Sequence, residues 1–190
     1  MQEHAPGRLE VITGPMFSGK SEELIRRLRR AEIARLRVVC FKPEIDTRFE
    51  REAIASHSQQ RLNAVPVPDI AKMQAGVGTE KHFDVIGIDE AQFFPCELLH
   101  QAMQWVLEGY RVVVAGLDMT FAGDPFGPIP SLMAVADEVV KLSAVCTVCG
   151  APAIHSQRLN ADRSTVLVGA QDAYEARCRT HFDALGAGTE

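Results

Sequence analysis

The stretch Gly14-Pro15-Met16-Phe17-Ser18-Gly19-Lys20-Ser21 constrains the fold of this chain more than any other. It fits the spacing G-x-x-x-x-G-K-[ST] of a phosphate-binding loop. Gly14 and Gly19 permit a tight turn that brings backbone N–H groups against phosphate oxygens. Lys20 is placed to neutralise the β- and γ-phosphates, and the Ser21 hydroxyl to ligand Mg²⁺. Residues 9–13 read as a short strand entering the loop, and a helix pattern runs from about Ser21 to Leu36. Phosphate would therefore meet a helix N-terminus. A strand before and a helix after distinguish this loop from a chance glycine-rich turn.

The helix carries Leu24, Ile25, Leu28, Ala31 and Leu36 on one face and Arg26, Arg27, Arg29 and Arg30 on or near the other. The arginines read as a solvated face paired with Glu22, Glu23 and Glu32; docking of an acidic partner is the other reading. Residues 37–43 read as a second strand with Cys40 inside it as a small core residue. The polar segment that follows contains Asp46, Thr47 and Arg48 and leads back toward the nucleotide. Residues 50–63 show no period, and His57 reads as a surface histidine. An extended piece at 65–68 and a brief helix from Ile70 to Ala75 come next.

In Phe83-Asp84-Val85-Ile86-Gly87-Ile88-Asp89-Glu90-Ala91-Gln92, an apolar run leads into two carboxylates. This is the pattern of a buried parallel strand with acids at its C-terminal end, where ligands of open α/β sheets collect. Asp89 is placed to hold Mg²⁺ and Glu90 to take a proton from an attacking hydroxyl. A helix N-cap is the structural alternative for the pair. An amphipathic segment from Cys96 to Tyr110 places Trp105 in the core. Another buried strand spans 111–117, and Asp118 to Phe121 follow at its C-terminal end. Residues 126–130 read as a rigid turn, with Ser131 capping a helix through Val140. The repeated strand–loop–helix order predicts a parallel sheet with flanking helices over residues 8–144.

The character changes after Lys141. Cys146 and Cys149, and later Cys178 and His181, each enclose two residues, the knuckle spacing that lets both side chains reach one ion. Three thiolates and an imidazole make a closed tetrahedral site for structural Zn²⁺. A redox C-x-x-C would leave the second pair unexplained. Residues 153–159 and 165–168 read as two strands of a small zinc-ribbon-like domain spanning 145–182. Flexible tails are expected at 1–7 and 183–190.

A length of 190 residues suits one ordinary domain with a small appendage. A formal net charge of −5 argues against a general nucleic-acid binder but leaves nucleotides open. No apolar run reaches membrane-spanning length, and the N-terminus has no basic region followed by an apolar one. Five cysteines, three of them in the C-terminal pattern, suit a reducing compartment. The expected location is the cytoplasm, with no nucleic-acid or membrane partner.

Taken in order, the loop, Asp46-Thr47-Arg48, Asp89-Glu90-Ala91-Gln92-Phe93-Phe94, Gly116-Leu117-Asp118, Phe121, Pro125-Phe126-Gly127 and the Cys/His cluster with Tyr174 resemble the type II, zinc-containing thymidine kinases. The resemblance covers roughly residues 8–182. It implies a P-loop NTPase-type α/β fold and phosphorylation of the 5′-hydroxyl of deoxythymidine, and of deoxyuridine, by ATP and Mg²⁺ in nucleotide salvage for DNA synthesis. It also implies that Gly14 to Ser21, Asp46, Thr47, Arg48 and Asp89 to Gln92 handle ATP and its phosphates, with Glu90 as the base. Met16, Phe93, Leu117, Phe121 and Tyr174 would line the nucleoside pocket. Thr165, Val166, Leu167, Val168 and Gly169 would close over the base, largely through main-chain atoms. A homotetramer inhibited by thymidine triphosphate is the further implication. Ala122 stands where many bacterial members carry a basic residue, and His181 where cysteine is common.

Two other classes remain open at this point. One is a P-loop ATPase or GTPase without a nucleoside acceptor, although no guanine-reading N-K-x-D element is present. The other is a zinc-ribbon nucleic-acid module, which the acidic chain disfavours.

Overall fold

The computed structural model describes residues 7–44, 53–55, 61–78, 82–159 and 173–184. β1 (Arg8–Thr13) runs through the glycine loop into α1 (Lys20–Ile33), which is followed by β2 (Val38–Pro43). A short antiparallel pair, β3 (Ala53–Ala55) and β4 (Arg61–Asn63), lies within the stretch where no periodicity was visible. Next come β5 (Val65–Val67), α2 (Ile70–Val77) and β6 (Val85–Ile88). A single 3₁₀ turn at Ala91–Phe93 leads to α3 (Leu98–Leu107), β7 (Arg111–Gly116), α4 (Ile129–Val135) and β8 (Glu138–Lys141). The six-stranded sheet has the order β5-β2-β6-β7-β1-β8, and every adjacent pair is parallel.

Period-two alternation sets the layers. Val112 and Val114 of β7 pack with Met73, Leu98, Trp105 and Leu132, so α2, α3 and α4 cover one face. Val113 and Ala115 pack with Leu24, Ile25, Leu28 and Ala31, so α1 covers the other. Full burial of each such Leu or Ile stabilises the fold by roughly 1.5–3 kcal/mol relative to exposure. Helix α1 lies close on the sheet: a Cβ at Gly87 would stand 2.5 Å from Leu28 Cδ1. Among the described residues no helix is long and apolar enough to cross a membrane.

Several local expectations need correction. Helix α1 ends at Ile33 rather than near Leu36. Arg35 turns left-handed at φ 61° and Leu36 N–H donates back to Ala31 O, which leaves Leu36 outside the apolar stripe. Arg27 is buried, not solvated. Its guanidinium reaches Glu10 at 2.5 Å, and Glu23 and Glu138 each at 2.8 Å. Burial alone would lower its pKa, but the three carboxylates together raise it.

The helix read from Ser131 to Val140 is also shorter. It starts at Ile129, ends at Val135, and gives way to strand β8. Asp137 exchanges two bonds with Leu9: its N–H donates to Leu9 O, and its carboxylate accepts from Leu9 N–H. These bonds draw the β-branched Val139 and Val140 onto the edge of the sheet.

After β8 the chain forms two small antiparallel pairs. β9 (Ala144–Val145) pairs with β10 (Pro152–Ala153), and β11 (His155–Arg158) pairs with β12 (Tyr174–Arg177). The partner of β11 is therefore β12, whereas the strand expected at 165–168 lies outside the described residues. Two residues assigned to tails are tied down. Gly7 is packed so close to Val106 that a side chain would collide with its carbonyl. Asp183 exchanges two hydrogen bonds with the Gln157 amide.

Candidate active site and metal centre

The C-terminal ends of β1, β6 and β7 converge on the glycine loop. Thr13 closes β1 by donating from its hydroxyl to Gly116 O at 2.9 Å. The loop then needs left-handed backbone at Phe17 (φ 66°) and Gly19 (φ 85°). At Gly14 (φ 140°) a side chain would strike Leu142 O. A β-carbon is tolerated at Phe17 despite its conformational cost, the kind of strain that gathers at functional turns. Ser18 Oγ donates to Pro15 O at 2.8 Å, and Lys20 Nζ donates to the same carbonyl at 2.7 Å. The ammonium thus lies folded back onto the loop. Glu22 and Glu23 fill the first turn of α1, the side favoured by the helix dipole.

Strand β6 delivers the two acids. Asp89 N–H is fixed by Phe41 O at 2.9 Å, and its buried carboxylate accepts from Ser21 Oγ at 3.2 Å. A hydroxyl and a carboxylate at this separation are oxygen donors suited to a hard cation such as Mg²⁺. Glu90 takes left-handed backbone (φ 50°) and makes no helix-capping bond, so the N-cap alternative does not describe it. Its Oε2 accepts from the Gln92 amide nitrogen at 2.5 Å, and Gln92 Oε1 accepts from Leu117 N–H at 3.0 Å. Ala91 is buried in the core between the sheet and α2–α4. Phe93 meets Phe126 edge-to-face at 6.0 Å and lines a cavity of about 210 Å³ with Pro43, Glu44, Pro68 and Phe94.

The C-terminal segment reaches back to this site through a strand whose four side chains are polar yet buried. Ser156 Oγ accepts from Met16 N–H at 2.9 Å and so joins β11 to the glycine loop. The Arg158 guanidinium stacks 3.8 Å from the Phe121 ring centroid and donates from Nε to Tyr174 Oη at 3.1 Å. His155 stacks on Phe182 with centroids 4.0 Å apart, and burial beside Arg179 and Lys141 lowers its pKa. Asp118 is buried and pairs with Lys141 at 2.5 Å. Sequence reasoning missed Ser156, Arg158 and His155 as members of the site. The available signal was the run His155-Ser156-Gln157-Arg158 itself, four polar residues in a stretch read as a strand.

The metal-ligand quartet assembles. One ligand atom each from Cys146, Cys149, Cys178 and His181 lies within 4.8 Å of all the others. Cys149 and Cys178 Sγ are 3.8 Å apart, and His181 Nδ1 stands 3.8 Å from Cys146 Sγ and 3.3 Å from Cys178 Sγ. Bonds of ~2.3 Å to a tetrahedral ion place sulfurs ~3.8 Å apart, whereas a disulfide needs ~2.05 Å. The donor set therefore fits zinc and not a redox bridge. Burial opposes ionisation of Cys146, but backbone N–H groups of Cys178, Cys149 and Val148 outweigh it and bring the thiol down to about 6. Burial likewise opposes ionisation of Cys178, which is lowered through the N–H and imidazole of His181.

The described residues thus bring together Gly14 to Ser21, Asp89, Glu90 and Gln92 on one side, and Leu117, Phe121 and Tyr174 on the other. Asp46, Thr47, Arg48 and residues 165–169 lie outside the described residues.

Comparison with known proteins gives one answer. The thymidine kinase family model matches residues 7–182. A thymidine kinase of Deinococcus deserti is 50% identical over 94% of this chain and 95% of its own length. One from Deinococcus radiodurans is 50% identical over 98% and 94%, and one from a Rhodothermus species is 51% identical over 93% and 81%. The chain belongs to the thymidine kinase family.

Proposed function

We propose that this protein transfers the γ-phosphoryl group of ATP to the 5′-hydroxyl of deoxythymidine, giving thymidine monophosphate and ADP. The observation that carries the reading is the convergence of the glycine loop, Lys20 and Ser21 with the Asp89-Glu90 pair at the end of one parallel sheet. In the step, the 5′-oxygen forms a bond to the γ-phosphorus as the bond to the β–γ bridging oxygen breaks. The hydroxyl proton passes to the Glu90 carboxylate. Little covalent chemistry is asked of the protein, so positioning and charge neutralisation supply most of the catalysis.

The loop from Gly14 to Ser21 cradles the phosphates through backbone N–H groups other than those of Pro15, which has none, and Met16, which donates to Ser156 Oγ. Lys20 swings from Pro15 O onto the β- and γ-phosphate oxygens. Ser21 and Asp89 are the residues that would hold Mg²⁺, which supplies neutralisation of the phosphate charge. Arg48, beside Asp46 and Thr47, contributes a cation near the transferred group. Met16, Phe93, Leu117, Phe121 and Tyr174 line the nucleoside site, and residues 165–169 close it. Gln92 is assigned a different part from direct phosphate contact, because its amide is engaged by Glu90 and Leu117.

The finer expectations belong to the same reading: zinc in the Cys/His quartet, inhibition by thymidine triphosphate, a homotetramer and a cytoplasmic location. The deciding experiment measures ADP release with and without deoxythymidine and follows labelled nucleoside into monophosphate. Nucleoside-dependent ADP release is expected; ATP hydrolysis indifferent to nucleoside, with no monophosphate formed, would refute the proposal.

A further inference from the structure

The geometry points to a second anion site, for phosphate groups, in an arginine-lined cavity at the end of the sheet away from the glycine loop. Arg8 and Arg111 open β1 and β7, the strands whose far ends lead into the candidate active site. Six residues at ~3.3 Å per step put the two ends of β1 about 16 Å apart, too far for one phosphate chain to fill both places. The cavity, about 360 Å³, lies between these strand starts, Glu138 of β8 and the side of α1 that carries Arg26, Arg27 and Arg30.

The charges there do not balance. Glu10 accepts from Arg8, Arg27 and Arg111; Glu138 pairs with Arg8 and Arg27; Glu23 pairs with Arg26 and Arg27. Three carboxylates thus engage four arginines, and Arg30, one turn beyond Arg26 on the same face, has no carboxylate partner among the described residues. Five guanidinium groups against three carboxylates leave two positive charges in excess. Guanidinium groups remain charged at any physiological pH and match phosphate oxygens with paired N–H donors. Arg27 and Glu10 are buried and fixed, while Arg26 and Arg30 are exposed and able to close on an incoming anion. A small anion of charge two or more restores neutrality. A folded nucleic acid is a poorer fit, given a chain of net charge −5.

The test uses the full zinc-loaded chain at low ionic strength, with the glycine loop saturated by ADP and magnesium. Pyrophosphate, inorganic phosphate and adenosine monophosphate are titrated separately by calorimetry, which distinguishes a free anion from one carried on a nucleotide. One further equivalent of pyrophosphate or of the nucleotide monophosphate should bind, more weakly as salt is raised. Lys20→Ala should retain this binding, whereas Arg30→Gln should weaken it about tenfold and Arg26→Gln with Arg30→Gln further still. Arg30 is exposed and stands outside the Glu23 ion pairs, so Arg30→Gln should melt as the parent does and its effect on binding reads the site itself. No saturable binding once the loop is filled, or equal affinity in the parent and the double variant, would overturn the assignment.

Discussion

Gln92 holds Glu90 against the end of β7: one amide donates to Glu90 Oε2 at 2.5 Å and accepts from Leu117 N–H at 3.0 Å. The space around it is tight, since a side chain at Gly116 would come within 2.7 Å of Gln92 Oε1. The amide ties the Glu90 carboxylate to the end of β7 and so helps set where the proposed base points. A hydrogen bond to a charged group contributes ~1.5–3 kcal/mol. Gln92→Leu is therefore expected to lower kcat about tenfold or more, with a smaller rise in KM for deoxythymidine. Steady-state kinetics with both substrates checks it; an unchanged kcat would show that Gln92 does not position the base.

Removing the base itself should cost more. Glu90→Gln keeps the size and the reach to Gln92 but cannot accept the 5′-hydroxyl proton. A loss in kcat of roughly 10²–10⁴ is expected, with nucleoside affinity nearly unchanged. Single-turnover measurement, together with direct titration of deoxythymidine, separates the two quantities. Near-normal turnover would remove Glu90 from the mechanism.

The metal quartet ties Cys146 and Cys149, just after β9, to the segment following β12. Between them lie Ser156, which accepts from the glycine loop, and Arg158, which holds Phe121 and Tyr174. Loss of zinc should then reach function through position, not through polarisation of substrate. Protein prepared without added zinc is expected to hold one equivalent. Cys178→Ser should lower the melting temperature and raise KM for deoxythymidine before that for ATP. Metal analysis with thermal melts provides the check; normal folding and activity with less than about half an equivalent would defeat the structural role.

Elements whose cause is local were legible in the sequence, and those whose cause is distant were not. The loop from Gly14 to Ser21 declares itself because glycine spacing and lysine identity are both required by one short turn. Val85 to Ile88 followed by Asp89 declares a buried strand with an acid at its end. Arg27 could not be read correctly, because its burial depends on Glu10 and Glu138, which reach it from two strands. The helix end at Val135 was hidden for the same reason, since the Asp137–Leu9 bonds form only once β1 is in place. Ser156 and Arg158 look like surface residues of a strand until the loop and Phe121 are brought against them.

Acid should weaken the fold partly through Glu23. The Arg26 bond, opposed by burial and reinforced by Arg27, lowers its carboxyl from 4.5 to about 2. The unfolded chain takes up that proton first, so the Glu23 contribution is fully present above about pH 4.5 and is lost as pH falls toward 2. The stability gap between the parent and Glu23→Gln should accordingly be constant near neutrality and shrink across that window. Denaturant titrations of both proteins at several pH values isolate the effect from other groups that titrate in parallel. A gap that does not change with pH would show that the Arg26–Glu23–Arg27 cluster contributes nothing through ionisation.

Arg158 offers the sharpest test of how the two parts of the site cooperate. It is buried, its guanidinium lies 3.8 Å from the Phe121 centroid and 5.1 Å from that of Tyr174, and it donates to the Tyr174 hydroxyl. A desolvated cation over an aromatic face contributes ~2 kcal/mol or more, and the bond to Tyr174 fixes which way that ring presents itself. Phe121 comes from the loop after β7, and Tyr174 opens β12. One side chain thus sets the spacing of two walls of the proposed nucleoside site. Arg158→Met keeps much of the volume and removes the charge, the donors and the planar stack. It is expected to raise KM for deoxythymidine about tenfold while KM for ATP stays within about twofold, because the glycine loop rests on Ser156 and not on Arg158. Arg158→Lys should restore little of the loss, since a point charge cannot stack on Phe121 and bond Tyr174 at once. If Arg158→Met raised both KM values together, the residue would be holding the domain as a whole. If Arg158→Lys behaved like the parent, charge alone would suffice and the stacked geometry would carry no part of the specificity.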